Sequence, residues 1–260
     1  MTGKECIVVV GGRSETSYLL INHLATHFNV AHVVFEGSHT RKLLRYRLRV
    51  LGAWTVAGQL AFLLWDRLWI QRKSRAHIVQ LLNGRNTEPP DARIPTTDVA
   101  SINSAETLAL LTSLHPSVVV VTGTGIISRR ALASAPCFIN IHCGITPPYR
   151  GVHGAFWAIF EGHPELAGVT IHRVDPGVDT GAILKQHTIA IDAETDSYRT
   201  LPVKQYLAGL EPMVEAVRDA LNEIEPAQVT GNGESRQWYS PTLRDYWRFC
   251  AQLRRMQKSR

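Results

Sequence analysis

A chain of 260 residues, 45% hydrophobic and 19% charged, can bury one large α/β domain's core, is too short for a multi-domain machine and too apolar to be a disordered chain. Its net charge of +6 is local: residues 41–75 hold nine Lys or Arg against the single acid Asp66, a segment of +8, so the remainder sums to −2. That distribution argues against a chain-wide nucleic-acid surface. Within 41–75 it leaves substrate phosphates, anionic lipid heads, nucleic acid and an ordinary solvated helix face all open. Cys6, Cys137, Cys143 and Cys250 form no CxxC pair, and no charged, then apolar, leader opens the chain, so the expected setting is the cytoplasm.

Taken in order, Cys6–Val10 reads as a buried strand, followed by the turn Gly11-Gly12-Arg13-Ser14 and a helix to about residue 27. Val30–Phe35 is a second strand, His77–Leu82 a weaker one, and Ser117–Thr122, β-branched through its valines, a third. Between them Val50–Trp65 runs sixteen residues without a charge. It is too short and too rich in Gly and polar residues to span a bilayer, which leaves a buried or groove-covering helix, with a membrane-surface or partner-binding helix as the alternative. Pro89, Pro90 and Pro95 mark an irregular connection, and Ala105–Leu114 returns to helical spacing. Strands apolar on both faces alternating with helices predict an α/β fold, a doubly wound, mostly parallel sheet. A helix over about Thr200–Glu223 and an aromatic, basic tail over Trp238–Arg260 then form a short helical C-terminal extension. The boundary is placed at residue 192, giving a catalytic domain over 1–192 and the extension over 193–260.

The chemistry concentrates between Pro136 and Leu184. A strand through Phe138 and Ile139 carries Asn140 and His142 on one face, because side chains alternate. A Gly/Pro loop, Cys143–Gly151, follows. After the strand Val169–Val174, the turn Asp175-Pro-Gly-Val-Asp179-Thr-Gly181 leads to a strand over Ala182–Leu184 and can bring Asp179 across a cleft from the pair. Amide, imidazole and carboxylate suit acyl transfer to an amine. Asn140 and a protonated His142 would donate to the oxygen on which charge grows, while Asp179 orients the ring and helps a proton leave. Structural roles for each remain open on spacing alone. His142, Cys143, His153 and His172 follow no zinc spacing, and no metal is expected.

Asn140-Ile-His142-Cys-Gly-Ile-Thr-Pro-Pro-Tyr-Arg-Gly151 together with Gly168-Val-Thr-Ile-His-Arg-Val-Asp-Pro-Gly-Val-Asp-Thr-Gly181 resembles the formyltransferases that use 10-formyltetrahydrofolate. The resemblance covers about residues 105–190 and implies their Rossmann-like fold. It implies Asn140, His142 and Asp179 as catalytic residues. For the folate it implies Gly125, Ile127 and Leu132 around the turn to Ser128, with Val174, Asp175 and Val178 on the acidic loop. The family's usual Ser-Leu-Leu-Pro is here Cys143-Gly-Ile-Thr-Pro147. The 68 residues after Asp192 read as helices, unlike the barrel that methionyl-tRNA formyltransferases use for tRNA. Glycinamide ribonucleotide transformylases have no counterpart of 41–75. The chain looks most like the enzymes that formylate nucleotide-linked amino sugars for bacterial surface polysaccharides, with a GDP-linked 4-amino-4,6-dideoxyhexose such as GDP-perosamine as the first expectation. Gly11, Gly12, Arg13 and Ser14 would then meet the pyrophosphate at a helix start, and Tyr149 and Arg150 the acceptor. A homodimer contact through 50–65 and peripheral membrane contact through 41–75 are the remaining partner expectations. The rival readings are a formyltransferase acting on methionyl-tRNA or glycinamide ribonucleotide, and a non-catalytic protein that binds folate or nucleotide, or nucleic acid or membrane through 41–75.

Overall fold

The structure is a computed structural model that describes residues 6–37, 40–224 and 231–258, with the side chains of 40–43 excepted. Arg41, Lys42 and the last two residues of the predicted tail therefore lie outside the described side chains. Strand β1 (Ile7–Gly11) leads into α1 (Glu15–His27), capped by Ser14, whose hydroxyl accepts the Ser17 amide at 3.2 Å. The chain returns along β2 (Val30–Glu36) and leaves the sheet for α2 (Thr40–Leu51), α3 (Ala53–Trp65) and α4 (Gln71–Leu82). It comes back as β3 (Thr96–Val99), α5 (Ala105–Leu114) and β4 (Val118–Thr122). The short α6 (Arg129–Leu132), β5 (Phe138–His142), β6 (Arg150–Gly151) and α7 (Gly154–Glu161) follow. Last come β7 (Gly168–Arg173), β8 (Ile183–Thr188), α8 (Thr200–Leu221), β9 (Gln237–Trp238) and α9 (Leu243–Lys258).

Seven strands form one sheet in the order β3-β2-β1-β4-β5-β7-β8. The first five are parallel, and β7 runs antiparallel to both of its neighbours. Alternation then sorts the valines. Ile7, Val9, Val118 and Val120 face α1 and α8, whereas Val8, Val10, Val119 and Val121 face α5 and α6, so both sheet faces are covered. Within the segment assigned to a C-terminal extension, α8 lies on the sheet and buries Tyr206, Leu210, Met213 and Val217 in its core. A second cluster gathers Phe62, the apolar face of α7, Trp238 and Phe249, joining α3, α7 and α9 beyond the sheet.

Three expectations change. His77–Leu82 is the end of α4, not a strand: from Ala53 the helix continues through a π-turn at Asp66–Ile70 into α4. Burial recurs at Val56, Gln59, Phe62, Asp66, Ile70 and Ser74, a spacing of three or four that only a helix provides. Val50–Trp65 is broken at Gly52, where φ is 81°, and most of its apolar side chains are exposed. The strand β3, which the prolines concealed, pairs with β2 at the sheet edge, where one buried apolar residue, Val99, is sufficient.

Candidate active site

The sheet's strand order reverses at β1 and β4, and a crevice opens beyond the carboxyl ends of β1, β4 and β5, the place where open α/β sheets bind ligands. The crevice encloses about 1320 Å³. Asn140 and His142 lie on its floor, with the residues of β7 directly opposite: Asn140 pairs with His172 and His142 with Thr170. Thr170 accepts the Thr146 amide at 3.2 Å and donates to the Gly144 carbonyl at 2.7 Å, which binds the loop after His142 to the strand.

Asp179 completes the group from the far side, in the left-handed region at φ 51°. Its Oδ2 lies 3.3 Å from His142 Nδ1 and accepts the Gly151 amide at 2.8 Å. Its Oδ1 lies 3.4 Å from His172 Nε2 and 3.5 Å from Asn140 Nδ2. Burial by itself would raise the Asp179 carboxyl, but the two histidines and the Gly151 amide outweigh it and hold the group at about 2. His142 is 5% exposed, and burial pushes its imidazole below 6.5, against the opposing pull of the Asp179 charge and the Tyr149 carbonyl. Nε2 must carry the ring proton, because it meets the Tyr149 carbonyl at 2.7 Å and a carbonyl only accepts. Nδ1 of the neutral ring is therefore a basic lone pair beside a carboxylate. Burial thus favours the neutral ring, where the sequence reading expected a protonated, donating His142.

Glycine fixes this geometry at two positions. A Cβ on Gly144 would collide with the Tyr149 carbonyl and come within 2.6 Å of His142 Nε2. Gly151, at φ 97°, brings its backbone against Trp238 while its amide holds Asp179. That contact is made by β9, which pairs with β6 by setting Gly151 against Trp238.

The structure brings some predicted residues to the crevice and turns others away. Gly125, Ile127, Val174, Asp175 and Val178 line it beside the trio. Glu36 holds this wall, its carboxylate accepting the Gly125 amide at 2.8 Å and the Ile102 amide at 2.9 Å. Asp175 accepts the Gly177 amide and the Thr180 hydroxyl, bracing the acidic turn. Leu132 packs against the core under α5 and α6 and does not line the crevice. Of the predicted anion cradle, Gly12 and Arg13 line the crevice, but the Gly12 amide donates to the Thr122 carbonyl at 3.2 Å and Arg13 grips Asp98 at 2.9 and 2.8 Å. Gly11 is buried against Thr122, and Ser14 is spent on capping α1. Tyr149 is corrected most sharply: its ring is 2% exposed and stacks on Trp238, so it offers the site a carbonyl and no side chain. Arg150 is a brace, donating to the Val178 carbonyl at 2.8 Å.

The sequence reading did not assign His172, Tyr46 or Arg47 to the site. His172 donates through Nδ1 to the Arg173 carbonyl at 2.8 Å, and its Nε2 lies 3.0 Å from Asn140 Nδ2, which positions the amide. Strand alternation with Thr170 was the available signal. Tyr46 and Arg47 from α2 form part of the opposite wall, and Arg47 reaches the Ser240 hydroxyl at 3.1 Å. Cys143 also lines the crevice, but burial, reinforced by Asp179, pushes its thiol up to about 12, where it stays protonated and is no nucleophile. Among the described residues the group close enough to share a cation is His23, His27 and Glu211, which does not line the crevice.

Comparison with known proteins gives the same fold. The sugar N-formyltransferase from Shewanella sp. FDAARGOS_354 superposes with a TM-score of 0.58 over 96% of this chain and 87% of that one, at 15% identity. A sugar 3-N-formyltransferase, WlaRD, solved in the presence of dTDP and 5-N-formyl-THF, gives 0.54 over 90% and 69%, at 17% identity. In sequence, the methionyl-tRNA formyltransferase of Caldanaerobacter subterraneus subsp. tengcongensis is 36% identical over 118 residues, 45% of this chain and 38% of that one. The chain spans about half the length, or less, of the curated relatives it matches. Residues 68–217, more than half of the chain, match the family described as formyl transferase, and the chain belongs to that family.

Proposed function

We propose that this protein transfers a formyl group from 10-formyltetrahydrofolate to the amine of a nucleoside-diphosphate-linked amino sugar. The observation that carries the reading is the convergence of Asn140, the lone pair of His142 and the Asp179 carboxylate on one crevice. Its volume exceeds the few hundred to about 1,000 Å³ of a single small-ligand pocket, which leaves room for a folate and an acceptor together. The Gly125–Ile127 turn and the Val174–Val178 loop present backbone and apolar surface, which suits a flat pterin. When bound, the folate supplies an activated formyl carbon.

The chain's own groups supply the rest. Asn140 Nδ2 is held at 3.0 Å by His172 but only at 3.5 Å by Asp179, so its second hydrogen is weakly engaged and free to meet a formyl oxygen as charge builds there. His142 Nδ1 takes the proton from the attacking amine, and the imidazolium so formed, stabilised by the Asp179 charge and the Tyr149 carbonyl, returns it to the folate nitrogen as that nitrogen's bond to the formyl carbon breaks and tetrahydrofolate leaves.

The sugar-nucleotide reading draws support from the solved neighbours named above and from the Tyr46 and Arg47 wall, which sets an arginine where a pyrophosphate could be met. A GDP-linked 4-amino-4,6-dideoxyhexose is the acceptor we propose, in the cytoplasmic assembly of a surface polysaccharide. Methionyl-tRNA is the second reading, favoured by the 36% identity to a methionyl-tRNA formyltransferase. Release of tetrahydrofolate with 10-formyltetrahydrofolate and a panel of GDP-, dTDP- and UDP-linked amino sugars, glycinamide ribonucleotide and methionyl-tRNA tests both. Turnover confined to the tRNA or the ribonucleotide rejects the sugar. No turnover with any acceptor favours a binding protein, and turnover unchanged by His142→Ala and Asp179→Asn rejects the site.

A further inference from the structure

A helix on a protein surface normally turns its apolar side inward. From residue 53 to residue 74 this chain does close to the reverse. The inward stripe of six positions contains Gln59, Asp66 and Ser74, and each has a polar partner: Gln59 Nε2 donates to the Ser240 carbonyl at 2.7 Å, Asp66 is gripped by Arg199, and the Ser74 hydroxyl bonds the Ser197 hydroxyl at 2.7 Å. The outward side carries Trp54, Leu60, Leu63, Leu64, Leu68 and Trp69, from 45% to 93% exposed. Polar bonds thus anchor the helix by one face and hold the apolar face to solvent, at a net cost that a water-exposed surface never recovers.

The patch extends to neighbouring elements. Trp65 lies 5.7 Å from Trp69 and 5.4 Å from the half-exposed Trp247 of α9. On the other side, α2 adds exposed Leu44, Leu48 and Val50. Its border is cationic. Arg45 and Arg49 lie along α2, and Arg67, Arg72, Lys73 and Arg75 follow along the continuing helix, all exposed. No described helix is long and apolar enough to cross a membrane.

We propose that this face, α3 with its π-turn and the adjoining side of α2, docks in plane on an anionic lipid surface. Leucines and tryptophans enter the interfacial layer, and the arginine and lysine border meets the headgroup phosphates. Charge decides against a second copy as the occupant. A two-fold interface places the same patch on both partners, which would bring two segments of +8 together. An acidic bilayer supplies the opposite sign. The proposal is independent of which amine the crevice serves.

Vesicle sedimentation of the full chain tests it. Phosphatidylcholine vesicles containing phosphatidylglycerol should pellet the protein, vesicles of phosphatidylcholine alone should not, and added salt should release it. The double variant Leu64→Glu, Trp69→Glu should lower the bound fraction by about tenfold or more, as should Arg72→Glu, Lys73→Glu, with melting curves unchanged. For the unaltered protein, brominated phosphatidylglycerol should quench tryptophan fluorescence, a readout that needs no variant. Equal retention on neutral and anionic vesicles, no retention at low salt, or no quenching overturns the proposal. So does a lipid-free dimer in sedimentation velocity that Leu64→Glu, Trp69→Glu dissociates.

Discussion

At the scale of single residues, the reaction we propose depends on His142 Nδ1 and on the carboxylate beside it. Asp179→Asn keeps the shape and removes the charge, so the imidazolium that forms during proton transfer loses its counter-ion. We expect kcat/KM to fall by about 10²–10⁴, the usual range for a positioned acid or base, with the folate KM little changed. Steady-state kinetics of the variant measures this. The native pH profile has a defined direction. His142 is depressed below 6.5, so the neutral ring persists as pH falls past 6.5 and activity is lost only at more acid pH, through its lowered value. Stability follows the same sign. Desolvation holds the half-buried His153 down at about 4, so the unfolded chain takes up protons between 6.5 and 4 that the folded chain refuses. Stability is whole above 6.5 and declines toward 4. Melting temperatures across that window should fall, and His153→Gln should flatten the slope. Asp179 then contributes about 2 kcal/mol that disappears as pH falls from 3.8 toward 2. That Asn140 and His142 share a face and that Asp179 comes across from them was legible from strand alternation and the acidic turn, while their catalytic roles came from the resemblance. The direction of the Tyr149 ring was not, because it is set by Trp238, which no local pattern connects to it.

At the scale of elements, the strands were readable because β-branched runs buried on both faces have few alternatives. The helices at 40–82 were read less well, because their inward stripe is partly polar and their outward side apolar, which inverts the usual cue. His172 is a similar case. Alternation with Thr170 sets its face, but its place beside Asn140 requires the antiparallel register of β5 and β7. Glu36, at the end of β2, ties two loops to the sheet edge through the Gly125 and Ile102 amides. Glu36→Ala frees both. Charge-assisted bonds to backbone amides contribute about 1.5–3 kcal/mol each, and we expect the folate KM to rise by about tenfold or more while kcat changes little. Initial rates at varied folate concentration separate the two parameters.

At the scale of the molecule, the excursion α2–α4 is fastened to the sheet domain by few but specific bonds. Asp66 is 1% exposed and relies on Arg199 at the start of α8. Arg199→Met would leave a buried carboxylate without its cation, at a cost of about 2–3 kcal/mol; Arg199 itself reaches solvent, which keeps this at or below the range for fully buried pairs. Thermal denaturation should register it, with Asp66→Asn, Arg199→Met together recovering part of the loss.

The pairing of β9 with β6 has a consequence for biosynthesis. Asp179 is held by the Gly151 amide, and Gly151 is held in its left-handed conformation against Trp238, a residue far downstream. A ribosome delivers the sheet strands, both histidines and the acidic turn long before it delivers that tryptophan. The nascent chain therefore carries every proposed reacting group through the stretch from Asp179 to Trp238 without a finished centre, and transfer capacity should arise abruptly, once residue 238 has cleared the exit tunnel.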